Sequence, residues 1–137
     1  MANNYETFGV YVVITFGDEI IVKKEGNSLV LPFSYGEKYE TPQKCAKRVI
    51  EKIIFKVPKF IKSLPFAERK AIDSVPDYIR EGWPKGASTF PNYAFLYSLP
   101  TPPDGVSSPF SFMSKKDVQT ALNEMESRVI NLVGMGD

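Results

Sequence analysis

Histidine is missing from this chain of 137 residues, and cysteine occurs once, as Cys45. The lack of histidine removes the most frequent general base, the usual serine and cysteine triads, and most zinc sites. A single cysteine cannot form an intramolecular disulfide, so no covalent cross-link supports the fold. Any chemistry must therefore rely on carboxylates, lysine, tyrosine or the one thiol.

Long hydrophobic runs and a strong charge of either sign are also missing. The longest apolar run, residues 10–16, is too short to span a bilayer. The first residues show no basic segment followed by an apolar stretch, so we expect no signal peptide. A net charge of +1 gives no electrostatic reason to expect a nucleic-acid or membrane partner. These features predict a cytoplasmic or nuclear protein that is neither secreted nor attached to a membrane.

The composition that remains is typical of one globular domain, with 43% hydrophobic and 24% charged residues. Runs of β-branched and aromatic residues indicate strands. The predicted strands cover residues 9–16, 19–24, 28–33, 92–99 and 110–113. The first three are separated by tight turns, which predicts an antiparallel meander at the start of the chain.

Helix signals follow the third predicted strand. Thr41 is a good N-cap, Pro42 suits the first helical position, and apolar residues recur at helical spacing as far as Phe55. We therefore predict a helix over 42–55. The other predicted helices cover residues 65–73, 76–81 and 115–133, with Ser63, Ser74 and Ser114 as their caps.

Residues 31–48 read LPFSYGEKYETPQKCAKR. This segment resembles the start of the Nudix box, L-P-G-G-x-x-E-x-G-E-T-P-x-x-A-x-x-R-E-U-x-E-E-x-G-U, where U is a bulky aliphatic residue. The matching positions are Leu31, Pro32, Glu37, Glu40, Thr41, Pro42 and Arg48. The resemblance to Nudix hydrolases implies an α+β fold with a mixed sheet sandwiched between helices. It also implies a single domain over 1–137 with a variable insertion at about 56–90.

The same comparison shows where the chain departs from that family. The family's glutamates after the arginine hold magnesium or manganese ions, which polarise a pyrophosphate and activate water. Val49, Lys52 and Ile53 stand at those positions and supply no oxygen ligand for a hard divalent cation. With these departures from the family, the resemblance implies no metal site, no cofactor and no catalytic residue. This interpretation favours a binding domain over an enzyme.

Three carboxylates and one arginine remain near the motif. Glu40 and Arg48 match a pair that, in the family, is similar to a structural clasp between the loop and the helix. Glu37 and Glu51 are candidates for a residual acidic site. The competing interpretation, which we favour, places Glu51 on a solvated helix face. Cys45 is expected to be a small packing residue rather than a reactive thiol.

Aromatic residues are the remaining candidates for a binding role. Tyr35, Tyr39, Trp83 and Phe90 fall in segments that would surround the cleft of a Nudix fold, so we predict contacts with a partner or ligand there. For Trp83 and Phe90, packing within their own loop is the alternative interpretation.

Three functional hypotheses follow. The first is a non-catalytic binding or scaffolding module, a pseudoenzyme whose partner is another protein or a larger complex. The second is a divergent hydrolase of nucleoside diphosphate derivatives with relocated metal ligands. The third is a nucleotide- or RNA-binding domain that keeps the cleft without the metals. Metal binding, turnover and co-purifying partners discriminate among them, because fold alone does not determine function.

Overall fold

The computed structural model describes residues 8–26, 28–37, 39–81, 83, 88–101, 105–107, 109–121 and 128–131. Within them, a sheet of seven strands forms the centre of the molecule. The strands are β1 Gly9–Phe16, β2 Glu19–Glu25, β3 Ser28–Val30, β4 Phe33–Tyr35, β5 Lys59–Ala71, β6 Thr89–Ser98 and β7 Phe110–Ser114. The helices are α1 Pro42–Glu51, α2 Asp77–Arg80 and α3 Lys115–Ala121, with a 3₁₀ turn over Ile72–Ser74.

The sheet is mixed. Its main strand order is β3-β2-β1-β6-β5, with β4 paired to β1 and β7 paired to β2. Strands β1 and β6 run parallel, and the other pairs are antiparallel. The predicted meander of the first three strands is present, because β1 pairs with β2 and β2 with β3.

The central strand β1 explains why residues 9–16 form an almost continuous apolar run. Successive side chains of a strand point to opposite faces of the sheet. Val10 and Val12 pack in one core cluster with residues of α1, whereas Tyr11 and Val13 pack in a second cluster on the other face. The second cluster includes Val118 of α3 together with Val129 and Ile130 from helical residues 128–131. The predicted α+β sandwich is confirmed.

Two predicted boundaries differ from the structure. The strand expected over 28–33 is divided into β3 and β4, because Pro32 lacks an N–H for strand pairing. The Pro32 carbonyl instead accepts a hydrogen bond from the Val12 N–H at 2.9 Å. The helix expected to reach Phe55 ends one turn earlier at Glu51, with Lys52 as its C-cap.

The predicted helix over 65–73, with Ser63 as its cap, is wrong. Residues 65–71 belong to β5, which pairs with β6 along the outer edge of the sheet, and residues 72 and 73 lie in the 3₁₀ turn that follows. The prediction rested on Ser63 followed two residues later by Pro65, a pattern that is typical of the start of a helix. Pro65 lies within a register shift of the β5–β6 pairing, one of the few places where a sheet accepts proline. Leu64 and Phe66 are buried.

The remaining helices are close to their predicted positions. The helix expected over 76–81 is α2, but the Ser74 hydroxyl donates to the Ala71 carbonyl at 2.7 Å and does not cap it. At α3, the Asp117 N–H donates to Ser114 Oγ at 3.2 Å, as expected of a cap. Part of the predicted final helix, 122–127 and 132–133, lies outside the described residues.

In the part of the chain described, no helix combines the length and apolar character needed to cross a bilayer.

Candidate functional site

The loop between β4 and α1 is held at both ends by one arginine. Arg48 Nε donates to Glu40 Oε2 at 2.8 Å, and Arg48 Nη2 donates to Glu40 Oε1 at 2.9 Å. Arg48 Nη2 also donates to the Tyr35 carbonyl at 3.0 Å. The helix start below it is set by Thr41, whose Oγ1 accepts from the Lys44 N–H at 3.2 Å. The geometry thus brings Glu40 and Arg48 together in a two-point ion pair.

This pair dominates the local electrostatics. The hydrogen bond from Arg48 lowers the pKa of Glu40 despite partial burial of the carboxylate, which acts in the opposite direction. The same bond raises the pKa of Arg48, so both groups stay charged. Burial, followed by the negative charge of Glu40, raises the pKa of the Cys45 thiol to about 12. Cys45 is also in the core cluster beside α1, so its surroundings are those of a packing residue.

Trp83 and Phe90 are not exposed contacts. Their side chains are only 6% and 1% exposed, and both belong to a small core cluster with Val75. The Trp83 ring lies 5.3 Å from the Phe90 ring and 5.8 Å from the Tyr35 ring, centroid to centroid. The burial of both rings beneath the β4–α1 loop favours packing within the domain, the alternative interpretation at these two positions, and contacts with a partner or ligand there stay a prediction.

Tyr39 is the exposed aromatic residue of the loop, and its backbone is unusual. Its φ angle is 63°, in the left-handed region that favours glycine. The Nudix box has a glycine at this position. The loop thus keeps the backbone shape that the motif's glycine suits, although a tyrosine occupies the position.

Three residues stand where the Nudix box carries glutamate, and their side chains lie in two different environments. Val49 and Ile53 are buried in the core cluster between α1 and the sheet. Lys52 is exposed, and it lines a cavity of about 430 Å³ together with Glu37, Arg48 and Trp83. No carboxylate stands at any of the three positions.

A second cavity, of about 590 Å³, adjoins the first, since Tyr35 and Tyr78 line both. We call the two together the basic cleft. Its cationic residues are Lys23, Lys52, Lys70 and Arg48, and its acidic residues are Glu25 and Glu37. Sequence reasoning did not identify Tyr78 or Lys70, because nothing in the order of residues indicates that β5 and α2 return to this face.

The structure does not bring Glu37 and Glu51 together. Glu37 lines the basic cleft, and its side chain lies 3.7 Å from Arg48. Glu51 is exposed and lines a separate groove between α1 and the start of β5. Over the described residues as a whole, no three His, Cys, Asp or Glu side chains are close enough to hold a metal ion together.

The sequence matches no family model and no curated protein. Solved structures are similar in fold. The E. coli dihydroneopterin triphosphate pyrophosphohydrolase superposes with a TM-score of 0.69 at 11% identity, covering 95% of this chain and 96% of that one. The Nudix domain of Shewanella oneidensis NrtR, solved with ADP ribose, gives 0.67 at 12% identity, covering 97% and 89%.

A third similar structure is the C-terminal domain of mouse MUTYH, solved in complex with human PCNA. It gives a TM-score of 0.69 at 8% identity and covers 96% of this chain and 90% of that one. At such low identities the similarity concerns the fold alone. The chain has the Nudix fold over nearly its whole length, as its motif predicted.

Proposed function

We propose that this chain is a non-catalytic Nudix-like binding module that acts through contact with another protein. The observation that carries the proposal is the state of α1 after Arg48. Val49 and Ile53 are packed in the core, and Lys52 places an ammonium group in the basic cleft. Magnesium and manganese need oxygen ligands, and phosphoryl displacement depends on the charge of those ions. A lysine at that point opposes their binding.

The remaining carboxylates do not compensate for this loss. Glu40 is engaged by Arg48 through two hydrogen bonds. Glu37 and Glu51 line different cavities. Relocated metal ligands, which the divergent-hydrolase hypothesis needs, find no support among the described residues. The chain thus keeps the fold and the Glu40–Arg48 pair of the motif but not the glutamates that would bind metal ions.

Two observations favour a protein partner. The described surface carries a contiguous group of exposed apolar side chains around Phe55 and Val57, and patches of this kind are typical of interaction sites. In addition, one domain of the same fold, that of mouse MUTYH, is known in complex with a protein, human PCNA. A domain of this fold can therefore present a surface that binds another protein.

Calorimetry and a turnover assay test the non-catalytic part. We expect no saturable heat on titrating magnesium or manganese to millimolar levels. We also expect no release of phosphate, pyrophosphate or AMP from ADP ribose or dihydroneopterin triphosphate. The E. coli dihydroneopterin triphosphate pyrophosphohydrolase serves as the active control. Saturable metal binding together with turnover would establish the divergent hydrolase instead.

The protein partner is tested by affinity capture from native cells followed by mass spectrometry. The captured protein is then purified and titrated against the chain, and we expect a saturable interaction of defined stoichiometry. A capture that yields only proteins also found on an unrelated bait would contradict the protein-binding role.

The basic cleft favours a second candidate, binding of a nucleotide without metal. Lys23, Lys52 and Lys70 line it beside the aromatic rings of Tyr35 and Tyr78, an arrangement suited to a phosphate group and a stacked base. Titration of ADP ribose in the presence of EDTA tests it. Binding that weakens in Lys70→Gln, but not in Lys24→Gln on the neighbouring position of β2, would favour this candidate.

A further inference from the structure

An apolar groove lies between α1 and the edge of the sheet, and it shares no lining residue with the basic cleft. It is formed by α1, the segment after it, the start of β5 and Tyr97 of β6, and it encloses about 480 Å³. Its floor consists of buried side chains, Ile50, Ile54 and Tyr97, and its rim of Phe55, Val57 and Phe60. We call this surface the α1–β5 groove.

The rim of the groove is exposed to an unusual degree. Phe55 and Val57 are 92% and 89% exposed, although their side chains are fully apolar. Six large apolar side chains are exposed in the described part of the chain, and four of them fall within residues 55–61. Single exposed apolar residues are ordinary, but a contiguous group beside a cavity is typical of an interaction surface.

The segment that forms the rim of the groove carries positive charge. Residues 55–62 contain three lysines, Lys56, Lys59 and Lys62, and no acidic residue. Lys47 and Lys56 line the groove itself, and the acidic residue among its lining side chains is Glu51. This local excess of positive charge stands out because the whole chain has a net charge of only +1. Complementary potentials speed encounter and select partners, so the groove suits a negatively charged occupant.

The shape of the surface favours a protein segment over a lipid bilayer. The buried floor lies below the exposed rim, so the groove can enclose a side chain that a protein segment inserts from above, as concave sites do. Phe60 packs against Tyr97 with ring centroids 5.5 Å apart, which holds that side of the groove in place. The outer strand β5 also begins here and has β6 as its partner on one side only, at the edge of the sheet.

We propose that the α1–β5 groove binds an acidic peptide segment of another protein, one that inserts an aromatic or aliphatic side chain between Phe55, Val57 and Phe60 while its carboxylates face the surrounding lysines. Buried apolar anchors contribute most of the affinity at such sites, and rim charges chiefly affect the association rate and its salt dependence. The inference rests on the proposed protein-binding function, because it names the surface and the chemistry of the partner.

Selection with a phage-displayed library of random peptides on the whole chain tests the proposal. We expect enrichment of peptides that combine aspartate or glutamate with an aromatic or aliphatic residue. A selected peptide is then synthesised and titrated against variants. Val57→Asp should weaken its binding at least about tenfold, since it places a charge among the apolar anchors. Lys47→Glu, at an exposed residue that lines the groove, should weaken it by roughly threefold or more at low salt and less at high salt.

Matched variants control for general effects. Val57→Leu keeps the apolar rim and should retain binding. Lys24→Glu makes the same charge reversal on exposed β2, away from the groove, and should also retain it. Val57 is almost fully exposed, so its replacement is expected to leave the melting temperature unchanged, and a melting curve of each variant verifies this.

Each other outcome overturns the inference. Peptides that bind equally well to Val57→Asp would place protein binding elsewhere and leave the proposed function standing. No enriched peptide, together with binding of vesicles of phosphatidylcholine and phosphatidylserine that is lost in Val57→Asp, would identify a membrane surface. Self-association that depends on Val57 would identify a second copy of the chain. If no peptide is enriched, no vesicle binds and the chain does not self-associate, the proposal of a peptide-binding groove is also rejected.

Discussion

The indole nitrogen of Trp83 donates a hydrogen bond to the carbonyl oxygen of Gly36, 3.0 Å away and 47 positions earlier in the chain. This bond fastens the segment after α2 to the loop that precedes α1. Gly36 itself sits against the ring of Phe8, where a Cβ atom would come within 2.4 Å. The tryptophan of the candidate insertion therefore supports the loop of the motif from below.

Replacing Trp83 should destabilise the fold. Trp83→Phe keeps an aromatic ring but leaves the buried Gly36 carbonyl without its donor, which costs about 1–3 kcal/mol. Trp83→Ala also creates a cavity and should cost about 3–5 kcal/mol. Chemical denaturation measures both. An unchanged midpoint for Trp83→Ala would contradict the packing role and reopen the interpretation of Trp83 as a surface contact.

Arg48→Ala should lower the free energy of unfolding by about 1–3 kcal/mol. The substitution removes the charged partner and two hydrogen bonds of the partly buried Glu40 carboxylate, which keeps the Glu37 N–H as a donor. It also removes the hydrogen bond from Arg48 to the Tyr35 carbonyl. Arg80→Ala is the matched control, because Arg80 pairs with the exposed Asp77 on the surface, where such pairs contribute roughly 0–1 kcal/mol. Equal effects of the two substitutions would argue against Arg48 as a structural clasp.

Acid stability should depend on Glu40. Its pKa in the folded state lies below its ordinary value because of the hydrogen bond from Arg48. A lowered pKa contributes stability that is fully present above the unfolded value of about 4.3 and lost as the pH falls through the folded value. Glu40→Gln should therefore be less stable than the wild type at neutral pH. The difference should shrink on acidification below about pH 4.

Thermal melts of Glu40→Gln and of the wild type across that pH range provide the measurement. Glu19→Gln, at an exposed position at the start of β2, is the control. A difference between wild type and Glu40→Gln that stays constant down to strongly acidic pH would contradict a charged pair.

Tyr39→Gly should stabilise the protein. A side chain at φ 63° strains the backbone, by about 1–2 kcal/mol in the left-handed region. Glycine removes that strain but raises the entropy of the unfolded chain, by about 0.5–1 kcal/mol. The net gain is expected to be about 0.5–1 kcal/mol in denaturant unfolding. Tyr39→Ala keeps the strain and serves as the comparison. A lower midpoint for the glycine variant would show that contacts of the tyrosine ring outweigh the strain.

The Cys45 thiol should be unreactive in the folded state. It is buried, and its pKa is raised to about 12, so little thiolate is present near neutral pH. A thiol reagent such as Ellman's should react slowly with the native protein and completely in denaturant. Rapid reaction of the native protein would contradict the packing role.

Some features depended on local sequence alone. Strand β1 is recognisable because it is buried on both faces, which requires an unbroken apolar run. The start of α1 is recognisable because Thr41 and Pro42 satisfy needs that every helix N-terminus has. The motif's spacing also placed Glu40 eight residues before Arg48 and so allowed their contact to be anticipated. These features involve neighbours that are close in the chain, and their physical requirements are local.

Other features were decided by pairing between distant residues. Residues 65–71 carry signals that are typical of both a short helix and an edge strand, and the pairing of β5 with β6 determined that they form a strand. The burial of Trp83 depended on the position of Gly36, and the loop composition around Trp83 was equally compatible with exposure. The exposure of Phe55 and Val57 followed from the early end of α1 at Glu51. Which apolar side chains find cover depends on what the folded chain brings next to them, and that is a property of the tertiary structure.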